Sequence, residues 1–222
     1  MQTTQIGLDH VPLIFALVVI GFSIIIHEIS HGFMAEILGD PTARRAGRLT
    51  LNPLKHIDPI GSIVVPIFTY ILGGFAFGWA KPVPFNPYNL KNRRVGELLI
   101  ALAGPASNLL IALVFSVIIR FGIGFLTGNA SADTAAGSLI FLQLCVYIVV
   151  VNISLAVFNL VPVPPLDGSK IFFAAFPETP KWLRIRAEIE RYSVVLVVIL
   201  VFFLWSFLTP VIPWLLRIFT GI

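Results

Sequence analysis

The chain has 222 residues, 57% of them apolar and only 12% charged, with a net charge of +4 and a mean hydropathy of +0.94. Soluble domains carry about 25% charged residues, so the composition excludes an ordinary soluble domain and fits one membrane-embedded unit over residues 1–222. Basic residues cluster beside apolar runs, which argues for lipid-facing loops and against nucleic-acid binding; the lone Cys145 excludes an intramolecular disulfide and a cysteine-based metal site.

The first apolar run, 11–38, follows a nearly neutral N-terminus, outlasts a signal-peptide core and contains histidine and glutamate, so it is expected to be a retained span. Further spans are predicted over 97–121, 137–160 and 193–208, the last continuing past Pro210 as a kinked or interfacial piece. Between the first two lies GSIVVPIFTYILGGFAFGWA, 61–80, apolar but broken by Pro66 and adjacent glycines, and rich in β-branched and aromatic residues. Arg44, Arg45, Arg48 and Lys55 precede this stretch, and Lys81, Lys91, Arg93 and Arg94 follow it. The loop after Phe121 holds only Asp133, whereas 170–191 is again rich in lysine and arginine. The positive-inside rule puts both flanks of 61–80 in the cytoplasm. The stretch should then enter the membrane and return, or fold as a β-hairpin against the protein, because irregular backbone at that depth needs protein or water around it.

The expected fold is an all-α integral membrane protein, a polytopic bundle of about four transmembrane helices (five or six as the alternative) with a re-entrant or β-hairpin element and its N-terminus outside. GRLTL, 47–51, reads as strand-like, and PETPKWLRIRAEIER, 177–191, as an amphipathic cytoplasmic helix. Glu97 reads as a helix N-terminal charge, Arg120 as an interfacial snorkelling residue, and Cys145 as a space-filler. No stretch is long and polar enough for an appended extramembrane module.

Ionisable side chains within hydrocarbon mark function by default, and SIIIHEISHGFM, 23–34, carries three. His27 and His31 are four apart and share a helical face, with Glu28 one step around. This is the H-E-x-x-H pattern, in which the histidines bind zinc and the glutamate is the general base. The weaker alternative is a pair of neutral, hydrogen-bonded histidines, but the span holds no basic residue to pair with Glu28. Catalytic zinc takes a third protein ligand and keeps an open position. His10 lies about 25 Å along a helix from His27, His56 sits in a basic loop and reads as surface or interfacial, and Asp9, Asp40, Asp58 and Asp133 fall in terminal or loop positions. Asp167 follows the third span in FNLVPVPPLDGSK, where Pro162, Pro164 and Pro165 forbid a regular helix and the chain is free to fold back. It reads alternatively as a helix-capping aspartate before Gly168.

HEISH in an early span, GPASN (104–108) in the next and NLVPVPPLDG (159–168) closing the following one resemble, in that order, the site-2 proteases, which are intramembrane zinc metalloproteases. RLTLNPLKHIDPIG (48–61) and GWAKPVPFNP (78–87) resemble segments of the compact prokaryotic members. The resemblance implies one zinc ion per chain on His27, His31 and Asp167, with Glu28 as catalytic base. It places Asn159 near the metal, on the oxyanion or the substrate carbonyl. Asn108 matches a family position, with helix packing through Gly104, Ala106 and Ser107 an equal reading. The implied partners are membrane-spanning protein substrates within the lipid bilayer, cut in regulated intramembrane proteolysis. The implied setting is a prokaryotic cell membrane, with the active site opening towards the cytoplasm. A divalent-metal transporter or an inactive membrane scaffold using the same site is the alternative. Transporters typically carry internal repeats, which this chain lacks, and a scaffold would not need Glu28.

Overall fold

The computed structural model of the chain describes residues 11–73, 78–129, 132–177 and 179–221. Three helices among them are long and apolar enough to cross a membrane: Leu13–Ile37, Arg93–Gly122 and Gly137–Asn159. They correspond to α1 (Leu13–Ile37), most of α4 (Arg93–Asn129) and α5 (Ala132–Asn159). In hydrocarbon each backbone polar group must find its partner within the chain, which a helix achieves locally. The predicted span at 193–208 falls in α8 (Ser193–Thr220), which runs on as helix through Pro210 and Pro213; its central side chains lie outside the described residues.

No strand occurs among the described residues. Residues 47–51 have no regular structure, and Gly47, at φ +64°, ends the short α2 (Thr42–Arg45). The stretch that allowed a β-hairpin reading is helical up to Gly73: a π-helical turn, Pro59–Val64, runs into α3 (Val65–Gly73). Its β-branched residues have no neighbouring strand to pair with, so the backbone satisfies itself along the helix. Residues 74–77 lie outside the described residues. The far end nevertheless returns to the start: Trp79 N–H donates to Gly61 O at 3.0 Å, and Ser62 Oγ donates to Trp79 O at 2.9 Å. Glycine is required on both sides of this meeting, since a Cβ on Gly61 would lie 2.2 Å from the Trp79 indole and one on Gly78 2.4 Å from Gly61 O.

α4 is the central helix, packed against α1, α5, α8 and α6 (Asp167–Ala174). The buried side of α1 carries Val19, Ser23, His27, His31 and Ala35, a stripe of every fourth residue that stacks on one face. α4 answers with Ala101, Gly104, Asn108, Ala112 and Ser116, all buried. Small residues let apolar helices approach closely where lipid offers no hydrophobic drive for association. A second cluster joins Ala112 and Ile119 to Leu142, Cys145, Val146, Val149 and Ile153 of α5. The Arg120 guanidinium caps α8, donating to Ile218 O and Phe219 O at 2.9 and 3.1 Å. At the opposite end Glu97 accepts from Arg93 and, at 3.2 Å, from Arg186, tying the amphipathic α7 (Pro180–Arg191) to α4. That ion-pair junction is more than the helix-end charge expected of Glu97.

Asp40, 0% exposed, ends the first crossing and gathers the segment that comes back to it. It accepts from Thr42 N–H and Oγ1, from Asn86 N–H at 2.6 Å and from Asn89 Nδ2 at 2.7 Å. Burial pushes its carboxyl up, but these hydrogen bonds outweigh burial and hold it below the ordinary 3.8. With the folded pKa the lower one, the contribution of Asp40 to stability is complete above about pH 3.8 and is lost as the pH falls through the folded value. Asp40→Ala is expected to lower stability in detergent by about 2–4 kcal/mol at pH 7 and to flatten the acid limb below about pH 4, as measured by unfolding midpoints across pH.

Candidate metal centre

α1 delivers His27 and His31 to one side, and α6 brings Asp167 against them. His27 Nε2 and His31 Nε2 lie 3.0 and 3.1 Å from Asp167 Oδ2 and 3.1 Å from each other. Their exposures are 5%, 8% and 5%, and they are the one group among the described residues able to hold a metal ion. Asp167 is the first residue of α6, whose N-cap is Leu166 with no side-chain capping hydrogen bond, so the capping reading does not hold: the carboxylate leaves the helix end for the imidazoles. Lys170, one turn on, holds the other oxygen, Oδ1, at 3.1 Å. Gly168 allows α6 to start hard against the end of α5, because a Cβ there would lie 2.2 Å from Leu160 O.

The proton positions follow from groups that cannot donate. His31 Nδ1 sits 2.6 Å from the Ile100 carbonyl, which only accepts, so Nδ1 carries a hydrogen and, in the neutral ring, Nε2 keeps the lone pair. His27 is set by a longer chain. Asn152 Nδ2 donates to Ile148 O and to Ser23 Oγ, which turns Asn152 Oδ1 towards Asn108. Asn108 Nδ2 therefore donates to it at 2.9 Å, and Asn108 Oδ1 accepts from His27 Nδ1 at 2.7 Å. With both imidazoles neutral, as metal ligation requires, both Nε2 atoms thus aim lone pairs at a carboxylate oxygen. Three such acceptors repel unless a cation lies between them. A tetrahedral zinc ion with bonds of about 2.0–2.1 Å sets its ligand atoms about 3.3 Å apart, within a few tenths of an ångström of the spacing here.

Space for an ion is kept by a missing side chain. A Cβ on Gly104 would lie 2.5 Å from His31 Nε2 and 2.6 Å from His27 Cε1. The donor set, the fixed tautomers and this cradle fit zinc. Glu28, partly buried and between the ligands in sequence, reaches the segment after Trp79, where its Oε2 accepts the Val83 N–H at 3.0 Å. Asn159 ends α5 and folds back on its own helix, donating to Leu155 O at 2.9 Å. Asn108 is drawn into the site, 0% exposed. His56 is also buried, at 2%, with Nε2 on Thr50 O; the basic loop around it folds onto 78–82 instead of lying in solvent. His10 lies outside the described residues.

Sequence reasoning missed Asn152, Ser23, Lys170 and the Val83 amide. Asn152 and Ser23 did carry a signal, each being polar within an apolar span.

Zinc-type donors from the membrane-crossing α1 and the short α6, with a glutamate adjacent to one of them, define the class: a membrane-embedded metalloprotease. The model for Peptidase family M50 matches residues 15–204, and the chain belongs to that family, the site-2 proteases. It is 32% identical over 221 residues, 97% of this chain and 94% of the relative, to "Putative zinc metalloprotease YwhC" of Bacillus subtilis. It is 30% identical over 191 residues to "Putative zinc metalloprotease Rip2" of Mycolicibacterium smegmatis, covering 84% of this chain and 67% of that one. No solved structure matches.

Gly104→Ala is expected to cut zinc affinity by at least 10–100-fold while leaving the helical content intact, as read by metal analysis and circular dichroism of the purified protein. Asn108→Leu, which frees the His27 tautomer, should fall in the same range.

Proposed function

We infer that the protein is an intramembrane protease that hydrolyses peptide bonds in or near transmembrane segments of membrane proteins, in regulated intramembrane proteolysis. The observation that carries this reading is the convergence of His27, His31 and Asp167 inside the bundle, about ten residues and so about 15 Å from the C-terminal end of α1. One zinc ion per chain is held by these three residues. Zinc, when bound, supplies Lewis acidity that makes water an effective nucleophile near neutral pH. Glu28 takes the proton of the attacking water and delivers it to the leaving amine. Its Oε2 is engaged by Val83, which leaves Oε1 for the proton. Asn159 donates its amide to the scissile carbonyl after turning away from Leu155 O, a contact of the oxyanion-stabilising kind.

The bundle is read as four crossings, by α1, α4, α5 and α8, in a cell membrane, with residues 61–80 as a re-entrant element that leaves and rejoins the cytoplasmic side. Two observations support this: Trp79 meets Gly61, and Asn86 and Asn89 return to Asp40 at the end of α1. Water and substrate reach the site from the cytoplasmic side. An open, apolar cleft of about 630 Å³ between Pro162–Pro164 and the α7–α8 junction lies beside the segment that carries Asp167.

Glu28→Gln is expected to lower cleavage by at least about 1,000-fold with zinc content unchanged, and cells carrying it should accumulate membrane-bound stubs that wild-type cells lack. A transporter or an inactive scaffold would show no such stubs. Their absence, or normal cleavage by the variant, would overturn the reading.

A further inference from the structure

The general base is held by a backbone amide, and that amide is itself held. Pro82 and Pro84 flank Val83; proline has no N–H and a fixed φ, so the Val83 N–H is an isolated donor on a stiffened segment, directed at Glu28 Oε2. The C=O of Pro82 and the N–H of Val83 belong to one planar peptide unit. On the far side of that unit lies Arg48, 7% exposed, whose Nη2 donates to Lys81 O at 2.5 Å and to Pro82 O at 3.3 Å. Lys81 N–H adds a tie to His56 O at 2.8 Å. Arg48 is presented by the turn that ends α2: Gly47 takes the left-handed conformation and Arg48 N–H closes back on Ala43 O, a helix-ending arrangement that glycine permits. α1 makes room for the contact. Gly32 lies one turn after Glu28 on the same face, and a Cβ there would stand 2.8 Å from Val83 Cγ1 and 2.6 Å from Leu49 Cδ2.

We propose that Arg48 is a positioning residue for Glu28, acting through the Pro82–Val83 peptide unit. The guanidinium fixes the unit in place, and its charge on the carbonyl polarises the N–H at the other end, since hydrogen bonds in series strengthen one another in a low-dielectric setting. The result is a carboxylate with one oxygen anchored and one presented. This inference rests on Glu28 being the base.

The test uses the purified full-length, zinc-loaded protein and a synthetic apolar transmembrane peptide with a fluorophore and a quencher at its ends. Arg48→Met and Val83→Pro should each lower kcat about 10–100-fold, with KM and zinc stoichiometry within twofold of wild type. The double variant should be no worse than the weaker single, because both break the same connection. Arg48→Lys should recover most of the loss. Ser62→Ala, which removes a different tie to the same segment, should leave kcat within twofold. A second readout needs no substrate: hydrogen exchange of a peptide covering 82–85, whose amides are those of Val83 and Phe85 alone, should accelerate in Arg48→Met and in Glu28→Ala. Wild-type kcat with unchanged exchange in Arg48→Met, losses that multiply in the double variant, or equal losses in Ser62→Ala would overturn the proposal. If Glu28→Gln cleaves normally, the base assignment itself has failed; if Glu28→Gln is inactive while Arg48→Met is not, only the role of Arg48 has.

Discussion

Three lone pairs held about 3 Å apart in a poorly polar interior are stable only with a positive charge between them, and much of the structure around the site serves to bring them there. α1 supplies two of the three through a four-residue spacing, and α6 supplies the third by starting at Asp167. Helix packing alone would not create the conflict, because an imidazole free to choose its tautomer would turn an N–H towards the carboxylate. The Ile100 carbonyl and the Asn108–Asn152 pair remove that choice. A divalent ion then satisfies all three groups at once, so the affinity of the site derives from a repulsion built into the fold as well as from ligand identity.

The parts of the site that were legible in the sequence are those expressed as side-chain spacing. HEISH could be read because helical periodicity converts positions 27 and 31 into one face. Asp167 was reached less directly: the prolines before it showed that the chain could fold back, but only family resemblance made it the third ligand. What stayed hidden is mostly backbone. The Ile100 carbonyl and the Val83 amide have no signature of their own, and the prolines at 82 and 84 acquire meaning only once Val83 is seen facing Glu28. The all-helical character followed from composition, whereas the β-hairpin alternative and the strand-like reading of 47–51 leaned on β-branched content, which reports packing surroundings more than backbone preference. His56 was misplaced for a related reason: a polar loop looks exposed until another segment folds over it.

The two halves of the proposed chemistry have different mechanical supports. Two of the ligands stand on the long apolar α1, whose amides are locked internally, and the third opens the short α6 packed against α4. Glu28, though it shares α1 with the two histidines, is restrained from outside the bundle, by the irregular segment after Trp79 and the turn after α2. Family membership defines the reaction class, while this division shows how the base and the metal can be adjusted separately by changes in different parts of the chain.

The amide relay from Ile148 through Asn152 and Asn108 to His27 also works as a register gauge. Sliding α5 by one residue would move Asn152 by about 1.5 Å and swing it about 100° around its axis, uncoupling it from Asn108 and releasing the imidazole. Apolar faces alone tolerate such a slip at small cost, since one leucine-like surface resembles the next. A chain misassembled by a single step would therefore bury nearly the same hydrocarbon area yet fail to hold the ion, so that assembly errors are silenced before they become stray hydrolases in the bilayer.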